Sequence, residues 1–230
     1  ILIQLDGPEP PIMDGSSIQF IDALRDAGIE EQNATRNYFE VNEYVHYRNA
    51  EKDIELAALP LDDYRLTVMV DYNSKVISSQ HAYLNDISQF PEQIASSRTF
   101  VFLHELEALY KQNLIKGGDL TNAIVIVDRD VQDGELDYLA ELLHKPKVSV
   151  NKQQGILNNL KLHYPNEMAR HKLLDVVGDL ALIGRPIKAQ ILAARPGHAA
   201  NVAFAKKIKK LIQKNAANQV PKYDPMQPAV

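Results

Sequence analysis

The sequence predicts an α+β fold, and three features carry that prediction. Between residues 37 and 76, "YFEVNEYVHYR", "DIELAALPL" and "YRLTVMVDY" follow one another as alternating or apolar runs of strand length. Further on, "TFVFLHELEALYKQNL" places apolar residues at helical period, and "NAIVIVD" follows as a continuous apolar run. Last, "RHKLLDVVGDLALIG", "IKAQILAA" and "AANVAFAKKIKKLIQK" read as helix, strand and helix. A strand-rich segment ahead of a helix-and-strand segment is the pattern of α+β or mixed α/β chains.

Taken in order, "ILIQLD" has the apolar content of a buried strand. "DGSSIQFIDALRDAGI" follows as a helix, with Ser16 or Ser17 placed to cap it and Phe20, Ile21, Leu24 and Ala27 at helical spacing. Gly28 ends it. Within the strand-rich stretch, Leu59-Pro60 and Asp62-Asp63 mark a turn, and the polar stretch from Ser78 to Ser88 reads as a connection. The helix over "TFVFLHELEALYKQNL" lies between strands and stops at Gly117-Gly118, as in a crossover unit; Thr99 stands where it would cap that helix. Residues 130 to 160 are weakly patterned, with a short helix at "DGELDYLAELLH". A helix from about Asn166 to Ile183, the strand "IKAQILAA", the turn "RPGH" and a last helix complete the order. No internal repeat is visible.

Composition removes several function classes. The 230 residues carry a net charge of −5 and no cysteine. Disulfides, thiolate zinc sites and cysteine nucleophiles are therefore excluded together, and any metal must be held by histidine and carboxylate. The mildly acidic charge gives no electrostatic case for nucleic acid or an anionic membrane as partner. The basic cluster "KKIKK", Lys206 to Lys210, reads as a solvated helix face. No apolar run approaches the ~20 residues of a membrane span. The chain opens without methionine and reads as a piece cut from a longer protein. Its end, "AANQVPKYDPMQPAV", carries three prolines in its last ten residues and reads as an extended linker.

The chemistry concentrates in "RHKLLDVVGD". Residues four apart share a helix face, so His171, Asp175 and Asp179 form a stripe beside Lys172, opposite Leu173, Leu174, Val177 and Leu180. Two readings stand at this point. One is an amphipathic helix whose polar stripe meets solvent. The other is a metal pair, because an imidazole and a carboxylate one turn apart converge on one point at about 2.0–2.2 Å from a zinc ion. Gly178 favours the second reading, since glycine inside a helix costs about 1 kcal/mol and is retained where something approaches closely. His198, after Pro196-Gly197, is a turn or cap residue on pattern alone. His46, His81, His104, His144 and His163 read as surface or loop residues without a partner at ligand spacing.

Four blocks in this order carry a resemblance: "LDGPEPPIMDGSS", "RTFVFLHELEAL" with the following "GG" and "NAIVIVD", "RHKLLDVVGDLALIG", and "GHAANVAFAKKI". From Ile1 to about Lys214 the sequence resembles the UDP-3-O-acyl-N-acetylglucosamine deacetylases, zinc amidases that commit Gram-negative bacteria to lipid A synthesis. The resemblance implies a two-domain sheet-and-helix fold with the first domain only partly present: residues 1–42 as the end of the first α+β domain, 43–215 as the second, and 216–230 as a Pro-rich linker. It implies His171 and Asp175 as two of three Zn2+ ligands, with the metal's open position activating water. Thr99 matches a threonine that helps hold the oxyanion, His198 a histidine that stabilises it and protonates the leaving amine, and Asp179 the carboxylate that orients His198. Lys172 matches a lysine facing the phosphate-bearing end of the substrate, and Phe100 and Phe102 match aromatic positions on its sugar and uridine side. An insert within residues 128 to 165 would help enclose the acyl chain.

The resemblance further implies a cytoplasmic enzyme acting on a UDP-3-O-acyl-N-acetylglucosamine. Its third zinc ligand is a histidine directly after a glutamate that serves as general base. No Glu-His pair occurs in this sequence, and by alignment it would precede Ile1. "NSKVISSQHAYL" also departs from the family pattern near the nucleotide. The tail resembles the linker by which some of these deacetylases are fused to a 3-hydroxyacyl-carrier-protein dehydratase. The runner-up reading is a catalytically degenerate scaffold or binding module beside such a dehydratase. A nucleotide-binding α/β domain is disfavoured, because no glycine-rich strand-to-helix loop is present.

Overall fold

A computed structural model describes residues 1–219 apart from 73, 75–76, 112–121, 133, 143–146, 153 and 159. In chain order the elements are α1 (Ile18–Ala27), β1 (Phe39–Glu40), β2 (Val45–Asn49), β3 (Ile54–Leu59), β4 (Tyr64–Val70), β5 (Gln80–Leu84), α2 (Phe90–Gln93), β6 (Phe100–Phe102), α3 (Leu103–Lys111), β7 (Ile124–Ile126), α4 (Glu135–Leu142), β8 (Val150–Asn151), β9 (Ile156–Leu157), α5 (Glu167–Ala181), β10 (Ile187–Ala194) and α6 (His198–Gln219). The architecture is α+β. No helix of the described residues is long and apolar enough to cross a membrane.

The large sheet runs β2-β3-β10-β4-β5, with β1 paired to β10. β10 lies parallel to β4 and antiparallel to β3, in register Ile191↔Leu66 and Ile191↔Ala58. Alternation sets its buried face: Ile187, Ala189, Ile191 and Ala193 point inward. Helices α5 and α6 pack on that face, α5 against β4 and β5, α6 against β2 and β3. Leu56, Leu66, Val68, Leu84, Leu173, Val176, Phe204 and Ile208 fill the layer between. Lys206, Lys207, Lys209 and Lys210 are exposed while Ile208 between them is fully buried, so the basic cluster is a solvated helix face.

The small sheet runs β6-β7-β9-β8. β6 and β7 are parallel, and α3 lies between them in the chain, as in the expected crossover. One face carries Leu103, Leu106, Val125, Val127, Leu139 and Leu157; the other carries Ile77, Ile124, Ile126, Ile156 and Met168. Met168 belongs to α5, so that helix sits against the small sheet at its start and the large sheet further along.

Several expectations are corrected. Residues 1–6 form no strand and are exposed, because no described strand pairs with them. Phe100–Phe102 are the strand β6 rather than helix, since parallel pairing with β7 overrides helical period; Thr99 consequently precedes a strand and caps nothing. The stretch Ser78 to Ser88 contains β5, whose Ala82 and Leu84 alternate into the core. α6 runs to Gln219, into the segment read as linker. Gly178 is exposed, and a Cβ there would meet nothing within 4 Å, so no close approach explains it. Gly117, Gly118 and His144 lie outside the described residues. At the front, Ser17 occupies the N-cap of α1, but the hydroxyl that accepts a backbone N–H there is that of Ser16, from Ile18 at 3.3 Å.

Candidate active site

Helix α5 presents the stripe, and the surrounding loops complete it. His171 and Asp175 are both buried; His171 Nε2 lies 3.6 Å from Asp175 Oδ1. The other ring nitrogen, Nδ1, lies 3.0 Å from the carbonyl oxygen of Ser97. A carbonyl accepts and never donates, so this contact places the proton on Nδ1 and leaves Nε2 with a free lone pair. Burial lowers the pKa of His171 from its ordinary value, against the opposing pull of Asp175 and of the Ser97 carbonyl. The imidazole is thereby kept neutral, as a metal ligand must be.

The opposite wall is the turn between β10 and α6. His198, the first residue of α6, places Nδ1 2.9 Å from Asp179 Oδ2 and Nε2 3.9 Å from Asp175 Oδ1. Asp175 thus stands between two imidazoles. Asp179 Oδ2 also accepts from Asn201 Nδ2 at 2.9 Å. Asn201 is fully buried and went unrecognised in the sequence, although it lies three residues after His198 on the same helix face. Lys172 Nζ lies 2.9 Å from Asp175 Oδ2 and 5.3 Å from the centre of the Phe100 ring.

Thr99 and His171 line one cleft of about 300 Å³ together with Pro11, Gly15, Ser16 and Leu174. Gly15 allows this closeness. Its φ is +84°, and its carbonyl accepts the Thr99 N–H at 2.7 Å. Phe100 meets the His171 ring edge-to-face at 6.1 Å. Tyr72, also missed in the sequence, packs edge-on against Phe100 at 5.6 Å and Phe102 at 5.1 Å. Burial, with the nearby Asp175 and Glu105 carboxylates, raises its pKa above the ordinary phenol value, so its hydroxyl stays protonated. The structure therefore brings His171, Asp175, Asp179, His198, Lys172, Thr99, Phe100 and Phe102 into one neighbourhood.

Three of the histidines read as unpartnered have carboxylate neighbours. His163 Nδ1 lies 3.8 Å from Glu167, four residues on and thus at the spacing of the stripe itself, and 2.9 Å from the Ser96 carbonyl oxygen. His104 Nδ1 lies 2.8 Å from Asp128 and His46 Nε2 3.7 Å from Glu55, partners distant in sequence. His104 and His163 are exposed and His46 is half-buried.

The donor set fits a zinc ion in part. The His171 and Asp175 donors are oriented, buried and spaced as two ligands of one ion would be. Among the described residues no group of three metal-ligating side chains is assembled, whereas a catalytic zinc takes three protein ligands.

A neutral, oriented imidazole beside a carboxylate, faced by a second imidazole held by its own carboxylate, gives an α+β scaffold one place able to bind a cation and move a proton. Sequence comparison makes the class specific. Residues 1–146 and 145–210 match the model of the family described as UDP-3-O-acyl N-acetylglycosamine deacetylase, and the chain belongs to that family. It is 50% identical over 220 residues to the bifunctional enzyme LpxC/FabZ of Chlorobaculum tepidum, covering 93% of this chain and 46% of that protein. It is 44% identical over 223 residues to the corresponding protein of Bacteroides thetaiotaomicron, covering 97% and 48%. With the UDP-3-O-acyl-N-acetylglucosamine deacetylase of Neisseria meningitidis serogroup B it shares 35% identity over 210 residues, covering 90% and 60%. The chain thus spans about half the length of the curated relatives it matches.

Proposed function

We propose that the protein to which this chain belongs hydrolyses the acetamide of a UDP-3-O-acyl-N-acetylglucosamine, with zinc as cofactor, in the cytoplasmic synthesis of lipid A. The observation that carries the reading is the meeting of His171 Nε2 and His198 Nε2 on one carboxylate oxygen of Asp175. Family membership and the printed activity of the Neisseria relative support the substrate.

His171 and Asp175 would hold the metal, as two of the three protein ligands that a catalytic zinc takes. Zinc in such a site supplies Lewis acidity and water with a pKa near about 7. The residues of this chain do the rest. Thr99, across the cleft from His171, donates its hydroxyl to the carbonyl oxygen as negative charge develops there; one such donor contributes about 2.7–4 kcal/mol. His198 delivers a proton from Nε2 to the leaving amine, while Asp179 accepts from Nδ1 and fixes the ring. Asn201 holds the same carboxylate oxygen and keeps Asp179 from turning away. Lys172 faces the phosphate-bearing side of the substrate, and Phe100 and Phe102 form the wall on its sugar and uridine side. A dehydratase domain follows α6, a reading supported by the bifunctional names of the Chlorobaculum and Bacteroides relatives.

The test uses the full-length protein, zinc analysis and a deacetylation assay on the UDP-sugar. His171→Ala is expected to remove both zinc and activity. His198→Ala should retain zinc and lose rate. Equal zinc loss from both variants would reverse the roles, and a full-length protein that neither binds zinc nor releases acetate would end the reading.

A further inference from the structure

Glu167 opens α5 one turn before His171 and has no exposed surface. Its carboxylate accepts four hydrogen bonds. Oε1 takes the backbone N–H of Arg98 at 3.1 Å and Arg98 Nε at 2.9 Å; Oε2 takes Arg98 Nη2 at 3.2 Å and the backbone N–H of His163 at 2.6 Å. None of these groups has a part in the proposed chemistry.

One of the four contacts matters for the site. The N–H that Glu167 holds and the carbonyl that accepts from His171 belong to the same peptide group, the one joining Ser97 to Arg98. That unit is planar, rigid and trans, so its N–H and C=O point in opposite directions. Two residues one turn apart on α5 therefore grip a single peptide, one at each end.

We propose that Glu167 is a positioning residue for the metal-binding imidazole, acting on His171 through the Ser97–Arg98 peptide. The proposal rests on the reading of His171 as a metal ligand. A ligating histidine ordinarily gives its second N–H to a carboxylate or carbonyl, which fixes the tautomer and makes the ligating nitrogen more basic. Here the carbonyl is itself polarised by a carboxylate on the far side of its peptide. Hydrogen bonds in a chain strengthen one another in a low-dielectric interior. The Glu167 charge draws density toward Ser97 O, tightens the Nδ1–H contact and makes Nε2 a better donor. The competing account treats Arg98 and Glu167 as a structural ion pair alone.

Two substitutions in the full-length protein separate the accounts. Glu167→Gln preserves size and an acceptor for the Arg98 N–H but removes the charge. Arg98→Lys removes the paired guanidinium contacts but leaves the carboxylate on the backbone N–H. Both should lower the urea midpoint. By chelator competition, Glu167→Gln should weaken zinc binding about 10-fold or more, the cost seen when an outer partner of a metal ligand is lost. Arg98→Lys should leave zinc affinity near wild type. Equal losses in the two variants, or wild-type affinity in folded Glu167→Gln, overturn the proposal. If Glu167→Gln does not fold, the wild-type amide of Arg98 decides: a downfield, slowly exchanging proton is expected, and an ordinary shift with fast exchange refutes the carboxylate contact. Zinc lost with His171→Ala but kept with Glu167→Gln removes this proposal alone; zinc kept in both removes the metal-site reading beneath it.

Discussion

Gly15→Ala is the substitution whose cost the structure specifies most closely. Gly15 has φ +84°, and a Cβ there would lie 1.9 Å from the carbonyl oxygen of Asn122 and 3.1 Å from Thr99 Cγ2. The nearest atom is backbone, so no side chain can turn aside. The left-handed conformation costs an alanine about 1–2 kcal/mol. Relieving the overlap requires the loop at 14–16 to separate from residues 99 and 122, which breaks the 2.7 Å bond from the Thr99 N–H to the Gly15 carbonyl. Thr99 is half-buried, so losing that bond costs about its net worth of 0.5–1.5 kcal/mol. Together these give about 1.5–3.5 kcal/mol. Gly184→Ala supplies the control: its φ is +79° and a Cβ there meets nothing within 4 Å, so only the conformational part of about 1–2 kcal/mol applies. Urea midpoints of the two variants in the full-length protein measure the difference. Deacetylation rates add a second readout, since displacing Thr99 should lower the rate in Gly15→Ala and leave it unchanged in Gly184→Ala. Equal destabilisation by the two alanines would refute the close approach, and with it the argument that Gly15 sets the position of Thr99.

The acid limb of stability should depend on Glu167. Burial alone would raise its pKa, but the Arg98 guanidinium and the two backbone N–H groups outweigh it and hold the carboxyl below the ordinary value. Its stabilisation is therefore complete above the unfolded pKa of about 4.3 and is lost as pH falls through the lower folded value; Glu167→Gln should flatten the unfolding midpoint against pH in that window, and an unchanged acid limb would refute the assignment. Removing only the charge that orients His198, with Asp179→Asn, should lower activity about 10–100-fold at full zinc content; zinc loss would make Asp179 a ligand instead. Phe204, fully buried between α6 and the sheet, should cost about 3–5 kcal/mol when replaced by alanine, read from urea denaturation, with the pH profile of activity unchanged.

What the sequence made legible followed strong local periodicity. β3, β4, β10, α5 and α6 alternate or repeat over enough residues for one face to be assigned; the first four formed close to their expected bounds, while α6 ran past its expected end to Gln219. β6 failed the same rule because three residues, Phe100 to Phe102, are too few to show a period of two, and the helix that follows lends them its own. β5 was hidden differently: His81 and Tyr83 face outward and the inward end of the alternation is the polar Gln80, bonded to Pro165 and Ala169, so the stretch looked like a loop although Ala82 and Leu84 already alternated inward. Contacts across long separations left no local trace. Nothing in "SSRTF" announces that the carbonyl of Ser97 will meet a histidine 74 positions later.

The stripe on α5 shows how one local rule can be right and still be read too short. Glu167, His171, Asp175 and Asp179 all stand four residues apart, so the spacing that exposed the last three already contained the first. Steps of four are not a straight line on an α-helix. At 3.6 residues per turn each step advances the side chain by about 40° around the axis, and the three steps by about 120°. That rotation passes the stripe from one set of neighbours to the next. Glu167 and His171 share the Ser97–Arg98 peptide, His171 also opens on the cleft with Thr99, Asp175 lies between His171 and His198, and Asp179 comes round to His198 and Asn201 on α6. A stripe at a step of 3.6 would have kept all four on one surface, in contact with one neighbour. The four-residue step lets a single rigid helix hold the Ser97 carbonyl, the metal-binding pair and the proton donor at fixed distances from each other. Inserting one residue between His171 and Asp179 would rotate the His198 partner by about 100° and break that relation while leaving the helix intact.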